Sequence, residues 1–214
     1  PSTVAYIGDG AFSGCISIMF DGENPAYIAN DGFLLTRDNG RLLSSYGDFT
    51  DVEIPNGVTS IGGWAFYGCY GLKNCTIPNG VTNIGYCAFG SCTSLTGVKI
   101  PDGVKSIESY AFYYCNSLKN IIIPKSVTFI GYMIFEGCSS LMSITVASDN
   151  TDYKSTDGLL LSKDGKILIE GVNGDVAIPN GVVQINDYAF SNHLNLKSLI
   201  IPDSVMRIGD YAYD

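Results

Sequence analysis

The chain repeats one pattern every 23 residues, and this repeat constrains its fold more than any other feature of the sequence. The common pattern of the unit is L-x2-I-x-I-P-x2-V-x2-I-x3-A-F-x2-C-x2, where x is any residue. The Ile-Pro dipeptide of the unit occurs at Ile54-Pro55, Ile77-Pro78, Ile100-Pro101, Ile123-Pro124, Ile178-Pro179 and Ile201-Pro202. Because one such unit cannot bury its apolar side alone, whereas stacked units can, the sequence predicts a solenoid.

The parts of the unit predict its local structure. Val98 and Ile100 alternate with polar neighbours, as on one face of a short strand, and Pro101 ends the strand because it has no N–H to donate. The second half of the unit has apolar positions spaced for a short helical turn with one buried stripe. We therefore predict that the phenylalanines of this half stack as one buried column. They are Phe66, Phe89, Phe112, Phe135 and Phe190.

Two segments, at about 24–46 and 149–172, depart from the 23-residue period. In the second segment, apolar runs flank Asp164-Gly165, a pair that predicts a β-hairpin with a two-residue type I′ turn. In the first segment, Asn39-Gly40 separates two similar runs. We interpret these segments as two hairpins inserted into a single solenoid that covers residues 1–214.

Composition and charge exclude several classes of protein. The net charge of −9 disfavours binding to nucleic acid and to anionic lipid, so we expect no nucleic-acid partner. No apolar run approaches the roughly 20 residues of a membrane-spanning helix, so we expect no membrane insertion. The N-terminus has no basic stretch followed by an apolar core, so we expect no signal peptide within the chain. Both ends lack the polar caps of most solenoids, which predicts an excerpt of a longer array.

The pattern I-P-x2-V-x2-I-G-x2-A-F-x2-C resembles the BspA-type leucine-rich repeats of bacterial and protozoan surface proteins. The likeness covers nearly the whole chain, and the inserted hairpins also look like those of this family. The resemblance implies an α/β repeat fold: a curved leucine-rich-repeat solenoid with a parallel β-sheet on one face and short helical or 3₁₀ turns on the other. It further implies an extracellular or cell-surface protein that binds other proteins or host matrix.

Seven cysteines raise the question of disulfides or a metal site. Four of them lie 23 residues apart and occupy one equivalent position: Cys69, Cys92, Cys115 and Cys138. Such a row places one thiol in each coil, whereas zinc needs four converging ligands and a disulfide needs side chains that point toward each other. We therefore predict four reduced and buried thiols, and no metal. Cys87 lies at a variable turn position and is the expected exposed thiol.

The other titratable residues indicate no catalytic site. His193, the single histidine, stands where other units have cysteine, and its sequence neighbours offer neither a nucleophile nor a carboxylate. Most acidic residues lie in turn contexts, for example in Asp102-Gly103, where local structure explains them. Asp149, Asp152 and Asp157 lack the spacing and the bidentate glutamate of a calcium-binding EF-hand. We therefore expect no enzyme activity and no cofactor.

The outward positions of the predicted strands are the expected binding surface, because extended sheet faces are the usual recognition surfaces of solenoids. These positions vary from unit to unit, whereas the inward ones stay apolar. The predicted site residues are Glu53, Thr76, Lys99, Ile122 and Thr145, with Lys73, Asn74 and Lys119 beside them. The partner implied by the resemblance is a protein or a host matrix ligand.

Aromatic residues of the turns form a second candidate surface, since exposed aromatics often anchor interfaces. They are Trp64, Tyr67, Tyr70, Tyr86, Tyr110, Tyr113, Tyr114 and Tyr132. The same residues fit equally well as a cover over the outer side of the core.

A structural role is the alternative to binding. The chain then serves as a spacer, or it self-associates head-to-tail into a filament, because an uncapped coil can stack on the next chain.

Overall fold

The structure is a computed structural model that describes residues 1–20, 22–38 and 40–213. In these ranges the chain forms nineteen strands, numbered β1 to β19 in chain order, and no helix. The strands wind into a solenoid of about seven turns. Successive coils stack in register, so equivalent residues of neighbouring coils lie side by side.

One row of strands, here called the primary row, follows the predicted L-x2-I-x-I segments. It consists of β4 (Asp51–Glu53), β6 (Asn74–Thr76), β8 (Gly97–Lys99), β10 (Asn120–Ile123), β12 (Ser143–Val146), β16 (Gly174–Ala177) and β18 (Leu196–Ile200). Parallel pairing joins β4, β6 and β8, then β10 and β12, then β16 and β18. Within each strand, alternate residues such as Cys75 of β6 and Ile121 of β10 point into the core. Their neighbours along the strand therefore face outward, as predicted.

A second row of two-residue strands, here called the secondary row, follows the proline turns. It consists of β5 (Ser60–Ile61), β7 (Asn83–Ile84), β9 (Ser106–Ile107), β11 (Phe129–Ile130), β17 (Gln184–Ile185) and β19 (Arg207–Ile208). These strands pair in parallel from β5 to β11 and from β17 to β19. Most of them end in a buried isoleucine such as Ile84. Core packing therefore stabilises these short strands together with the hydrogen bonds to neighbouring strands.

Two antiparallel segments interrupt the coils where the sequence departs from its period. The first consists of β1 (Tyr27–Asn30), β2 (Phe33–Thr36) and β3 (Arg41–Ser45), and the second of β13 (Tyr153–Thr156), β14 (Leu159–Ser162) and β15 (Ile167–Glu170). The last strand of each segment continues the secondary row, because β3 pairs in parallel with β5 and β15 pairs in parallel with β17.

Each antiparallel segment makes its type I′ turn between its first two strands. At Asp157-Gly158 both residues have positive φ, 51° and 81°, as a type I′ turn requires. Asp31-Gly32 repeats this geometry at 48° and 85°. Asn39 lies outside the described residues, so the predicted Asn39-Gly40 turn is not described.

The type I′ turn predicted at Asp164-Gly165 is wrong. Only Gly165 has a positive φ there, 74°, and its N–H donates to the Ser162 carbonyl at 2.8 Å. The Asp164 carboxylate accepts the Lys166 N–H at 2.9 Å and the Ser162 hydroxyl at 2.6 Å. These side-chain bonds favour a longer loop with one left-handed glycine at its end over the two-residue turn.

The face opposite the primary row consists of hydrogen-bonded turns instead of the predicted short helical or 3₁₀ turns. The Tyr67 N–H donates to the Trp64 carbonyl at 3.0 Å, within the coil. The preceding N–H, that of Phe66, donates instead to the Ala88 carbonyl of the next coil at 2.7 Å. Because bonds within a coil alternate with bonds between coils, no helical run forms in the described ranges, and the solenoid there is all-β. Accordingly, no described segment is a helix long and apolar enough to cross a membrane.

The predicted phenylalanine column exists over four coils. Its buried rings stack at centroid distances of 5.0 Å, 5.5 Å and 5.7 Å, in the order Phe66, Phe89, Phe112 and Phe135. Phe190 is buried as predicted, but its ring stacks on Tyr213 at 5.2 Å. In the described residues the column therefore has two parts, and the second antiparallel segment separates them.

Candidate functional site

A groove of about 990 Å³ lies on the outward face of the primary row, centred on β8. Its walls come from β6, β8 and β10 and from the proline turns that follow these strands. Apolar side chains, among them Val98 and Ile122, line it together with the amides of Asn74 and Asn120. A concave surface that combines apolar and hydrogen-bonding groups is typical of a recognition site.

The groove exists because Gly97 leaves a gap in the row of outward side chains. A methyl group at Gly97 would meet no heavy atom within 4 Å. No backbone hydrogen bond joins β8 to β10 within the described residues, so the ladder of the primary row is open at this point. Val98 is half-buried beside this opening, whereas the equivalent Cys75 and Ile121 are buried.

All eight residues predicted for the binding surface are exposed, and they lie on or directly beside strands of the primary row. Four of them line the groove, namely Asn74, Thr76, Lys99 and Ile122. The other four lie outside its lining, namely Glu53, Lys73, Lys119 and Thr145. Half of the predicted binding residues, those on the central strands of the primary row, thus lie together around the groove.

The proline turns also contribute to the groove, which the repeat pattern does not indicate. Asn79, Asp102 and Gly103 line the groove, although their dipeptides predict only turns. Turn residues have no periodic pattern that indicates where their side chains point. Only the stacking of the coils brings the turns after β6 and β8 to the edge of the groove.

Lysines surround the groove although the whole chain is acidic, with a net charge of −9. Lys73, Lys99 and Lys119 are exposed, and none of them forms an ion pair within the described residues. The Asp51 carboxylate accepts a hydrogen bond from the Asn74 amide at 2.6 Å, at the far side of β6. The groove itself has mixed charge, since its lining contains one lysine, Lys99, and one carboxylate, Asp102. The unpaired lysines are available to acidic groups of a partner.

The aromatic residues of the turns divide into two groups. Five of them are linked by ring contacts: Trp64, Tyr86, Tyr110, Tyr113 and Tyr114. Tyr70 and Tyr132 are exposed and have no ring contact in the described residues. The Tyr67 ring lies over Gly90, where a methyl group would be only 2.8 Å from it, so Tyr67 covers the neighbouring coil.

Three thiols of the predicted cysteine row are buried, and they donate to backbone carbonyls. The Sγ atoms of Cys92, Cys115 and Cys138 lie 3.1 to 3.2 Å from the carbonyl of a phenylalanine in the preceding coil. Cys69, at the start of the row, is half-buried beside the Ser45 hydroxyl at 3.4 Å. Burial raises the pKa of the Cys92 thiol well above its usual value, which keeps that thiol protonated.

The prediction that Cys87 is exposed is wrong. Its side chain is buried, and burial raises the pKa of its thiol to about 11. The reason lies in the neighbouring rings, because Tyr86 contacts Trp64 and Tyr110, which occupy the position of Cys87 in the two flanking coils. The Tyr86 ring thereby closes the gap above the smaller cysteine. Cys15 is the exposed thiol of the described chain.

His193 is buried in the cysteine row, in line with its place in the repeat. Its ring nitrogens lie 3.1 Å from the Ser191 carbonyl and 3.2 Å from the Gly171 carbonyl. Burial lowers its pKa, against the opposing effect of these backbone groups. In the part of the chain that the structure describes, no three His, Cys, Asp or Glu side chains lie close enough to hold a metal ion.

Solved structures of similar architecture come from bacteria. A leucine-rich repeat protein of Eubacterium ventriosum is 28% identical, with a TM-score of 0.62 over 88% of this chain and 62% of that one. A leucine rich cell surface protein of Faecalibacterium prausnitzii is 26% identical, with a TM-score of 0.56 over 89% and 74% of the two chains. The pneumococcal vaccine antigen PcpA shares the fold at 21% identity and a TM-score of 0.69, over 88% and 56%. The chain thus spans less than two thirds of the Eubacterium protein and of PcpA.

No protein with curated functional information matches the sequence. The family model of the BspA type leucine rich repeat region matches six copies, over residues 42–156 and 173–214. These ranges contain the coils of both rows and leave out most of each antiparallel segment. The chain therefore belongs to the BspA-type leucine-rich repeat family.

Proposed function

We propose that this chain is a non-enzymatic protein-binding module of an extracellular or cell-surface protein, with an adhesin-like role. The single observation that carries the proposal is the groove at the centre of the primary row, which is lined by half of the residues predicted for binding. The partner is a protein or a host matrix ligand that contacts this groove. Its complementary groups are acidic ones for the lysines and apolar ones for Ile122.

The contrast between inward and outward positions supports a recognition role for this face. The inward residues of the three central strands are apolar, namely Cys75, Val98 and Ile121. The outward residues that follow them are Thr76, Lys99 and Ile122, which differ in charge, polarity and size. Exposed strand residues contribute little to the core, so they can vary with the partner while the coil stays unchanged.

Two further observations support the rest of the proposal. The Faecalibacterium relative is named as a cell surface protein, which favours the same location for this chain. The single histidine is buried between backbone carbonyls, where it has no access to a substrate. This burial favours a binding role over an enzymatic one.

The test is a double substitution in the groove, Lys99→Glu with Ile122→Asp. Purified host matrix and surface proteins are immobilised as a panel, and binding of the wild-type chain is measured by surface plasmon resonance. For each protein that binds, we expect the double variant to bind about tenfold more weakly or worse, a loss of roughly 1.4 kcal/mol. Both side chains are exposed, so the melting temperature should stay within about 2 °C of the wild type.

A matched control introduces the same two charges on the secondary row, Lys105→Glu with Phe129→Asp. Both control residues are exposed and lie on or beside neighbouring strands, as the groove pair does. The control should bind like the wild type. Equal loss in both variants, or no loss in the groove variant, would refute the site. Growth of light scattering with concentration, in the absence of any partner, would favour the spacer or filament role.

A further inference from the structure

The turn face of the solenoid carries a second surface, distinct from the groove. Its five contacting rings, here called the aromatic ribbon, are Trp64, Tyr86, Tyr110, Tyr113 and Tyr114. Successive ring centroids are 4.9, 5.4, 5.5 and 4.5 Å apart, with the planes tilted or edge-to-face. The ribbon crosses three neighbouring coils without interruption. Contacting aromatic rings in such number form a broad π surface on one side of the protein.

The ribbon does not serve as the core of this side, because the phenylalanine column already fills that place. Trp64 is 40% exposed and Tyr86 is 41% exposed. Trp64, Tyr110 and Tyr114 also have positive φ angles of 54°, 60° and 53°, an uncommon conformation for aromatic residues. Backbone bonds to the next coil hold them there, among them the bond from the Tyr110 N–H to the Tyr132 carbonyl at 3.0 Å. The turns thus present large rings at partly exposed positions.

A carboxylate lies at one end of the ribbon. Glu136 occupies, in the next coil, the position that Tyr113 has in its own, and its carbonyl accepts the Tyr114 N–H at 2.8 Å. Its Oε1 atom accepts the Asn192 amide at 2.7 Å, which holds the carboxylate in place. Burial, and after it the charge of Glu136, raise the pKa of both Tyr110 and Tyr113.

Basic residues are absent from the turns that carry these groups. The segments 62–70, 85–93, 108–116 and 131–139 contain no lysine and no arginine, whereas they contain Glu108 and Glu136. At the Trp64 end, the nearby Asp9 carboxylate accepts the Gly63 N–H at 3.0 Å and is paired with Arg41, so that pair adds no net charge. The ribbon therefore combines aromatic faces with negative charge.

We propose that the aromatic ribbon binds arginine side chains of a partner protein. A guanidinium group stacks on aromatic faces through cation–π attraction, and its planar donors pair with a carboxylate. Tyr110 and Tyr113 supply the faces, and Glu136 supplies the carboxylate beside them. This surface lies on the turn face, so it is separate from the groove on the primary row.

The test uses the emission of Trp64, the only tryptophan of the chain, as a direct readout of the ribbon. Hexa-arginine is titrated into the full chain, and the change in fluorescence gives the dissociation constant. We expect saturable binding that weakens with salt. Tyr110→Leu with Tyr113→Leu should weaken it about tenfold, whereas Tyr110→Phe with Tyr113→Phe keeps the rings and should bind like the wild type. Glu136→Gln should weaken binding about threefold.

These variants separate the ribbon from the general attraction of a chain with net charge −9 for any polycation. The leucine pair leaves the charge unchanged, so equal binding by this variant and the wild type would overturn the proposal. Absence of a saturable fluorescence change would overturn it as well, and so would stronger binding of a neutral oligosaccharide. The Lys99→Glu with Ile122→Asp variant should bind hexa-arginine at least as well as the wild type, since the groove is not involved.

Discussion

Glu170 is a carboxylic acid enclosed by the solenoid. It ends β15, it is 3% exposed, and its Oε1 atom has no hydrogen-bond partner within the described residues. Burial raises its pKa well above the ordinary value, and the nearby Cys138 and Glu136 add to this effect. The folded protein therefore favours the protonated form of Glu170, while the unfolded chain ionises it at about pH 4.3.

We expect this difference to make the free energy of unfolding fall as the pH rises. The stabilisation by protonated Glu170 is complete below about pH 4.3 and is lost as the pH rises through the folded-state pKa, by about 1.4 kcal/mol per unit of pKa difference. Glu170→Gln cannot ionise, so it should be more stable than the wild type at pH 8 and less dependent on pH. Urea denaturation between pH 4 and pH 8, followed by circular dichroism, measures both effects.

The exposed Glu53 provides the control for this experiment. Glu53→Gln should keep the pH dependence of the wild type, because water solvates that carboxylate in both states. If Glu170→Gln followed the same curve as Glu53→Gln, the burial of Glu170 would have no energetic consequence, and the expectation would fail.

Single residues also show which features can be predicted from the sequence and which cannot. Cys92 and His193 were placed correctly in the core, because the repeat gives their position in the coil. The burial of Glu170 could not be predicted, because the pairing of β14 with β15 shifts register between Leu160 and Leu161. A register shift changes which side chains face inward, and no pattern in the sequence indicates where the shift occurs.

At the scale of elements, a buried asparagine ties each antiparallel segment to the coil before it. The Asn150 amide donates to the carbonyls of Pro124 and Val127, both at 2.9 Å, and its Oδ1 atom accepts the N–H groups of Asp152 and Tyr153. Asn24 makes the equivalent four bonds in the first segment. Each asparagine thereby links the proline turn of the preceding coil to the start of the antiparallel segment.

We expect Asn150→Ala to lower the free energy of unfolding by about 3 kcal/mol or more, because it removes four backbone hydrogen bonds that a buried side chain makes. The control is Asn180→Ala, at an exposed turn position, which should change stability by no more than about 0.5 kcal/mol. Chemical denaturation of both variants gives the comparison. A loss at Asn150 as small as that at Asn180 would show that water replaces the four bonds.

The elements themselves were largely predictable, and their connections were not. The period-two pattern of Val98 and Ile100 correctly predicts the primary row, since inward residues must be apolar in every coil. The predicted helical turns fail because Phe66 bonds to the next coil, a choice that depends on the neighbour and not on local spacing. Likewise, the sequence predicts four of the residues that line the groove. It does not predict the opening at Gly97, which arises because the neighbouring strands β8 and β10 do not pair.

At the scale of the whole molecule, the stacked rings from Phe66 to Phe135 form the continuous centre of the core. Phe112 has a ring partner on each side, at 5.5 Å and 5.7 Å. Phe112→Ala should therefore lower the free energy of unfolding by about 3–5 kcal/mol, because a large buried cavity replaces the ring. Phe129→Ala, at an exposed position of β11, is the control and should cost less than about 1 kcal/mol.

Thermal denaturation followed by circular dichroism measures both phenylalanine variants. Similar losses for Phe112 and Phe129 would contradict the stacked column as a main source of stability. Cooperativity is informative as well, because stability in stacked-coil proteins depends on contacts between neighbouring coils. A cavity at the centre of the column should weaken the contacts of Phe112 with both flanking coils.

The junction between β3 and β5 has the same geometry as the junction between β15 and β17. In both, two residues of the segment's last strand pair in parallel with a two-residue strand, Leu42 with Ile61 and Leu168 with Ile185. A block of coils that begins and ends at this register can replace another such block, and the parallel strand pairs of the secondary row are kept at both ends. Unequal recombination between such blocks would add or remove whole coils in one step and leave each junction intact.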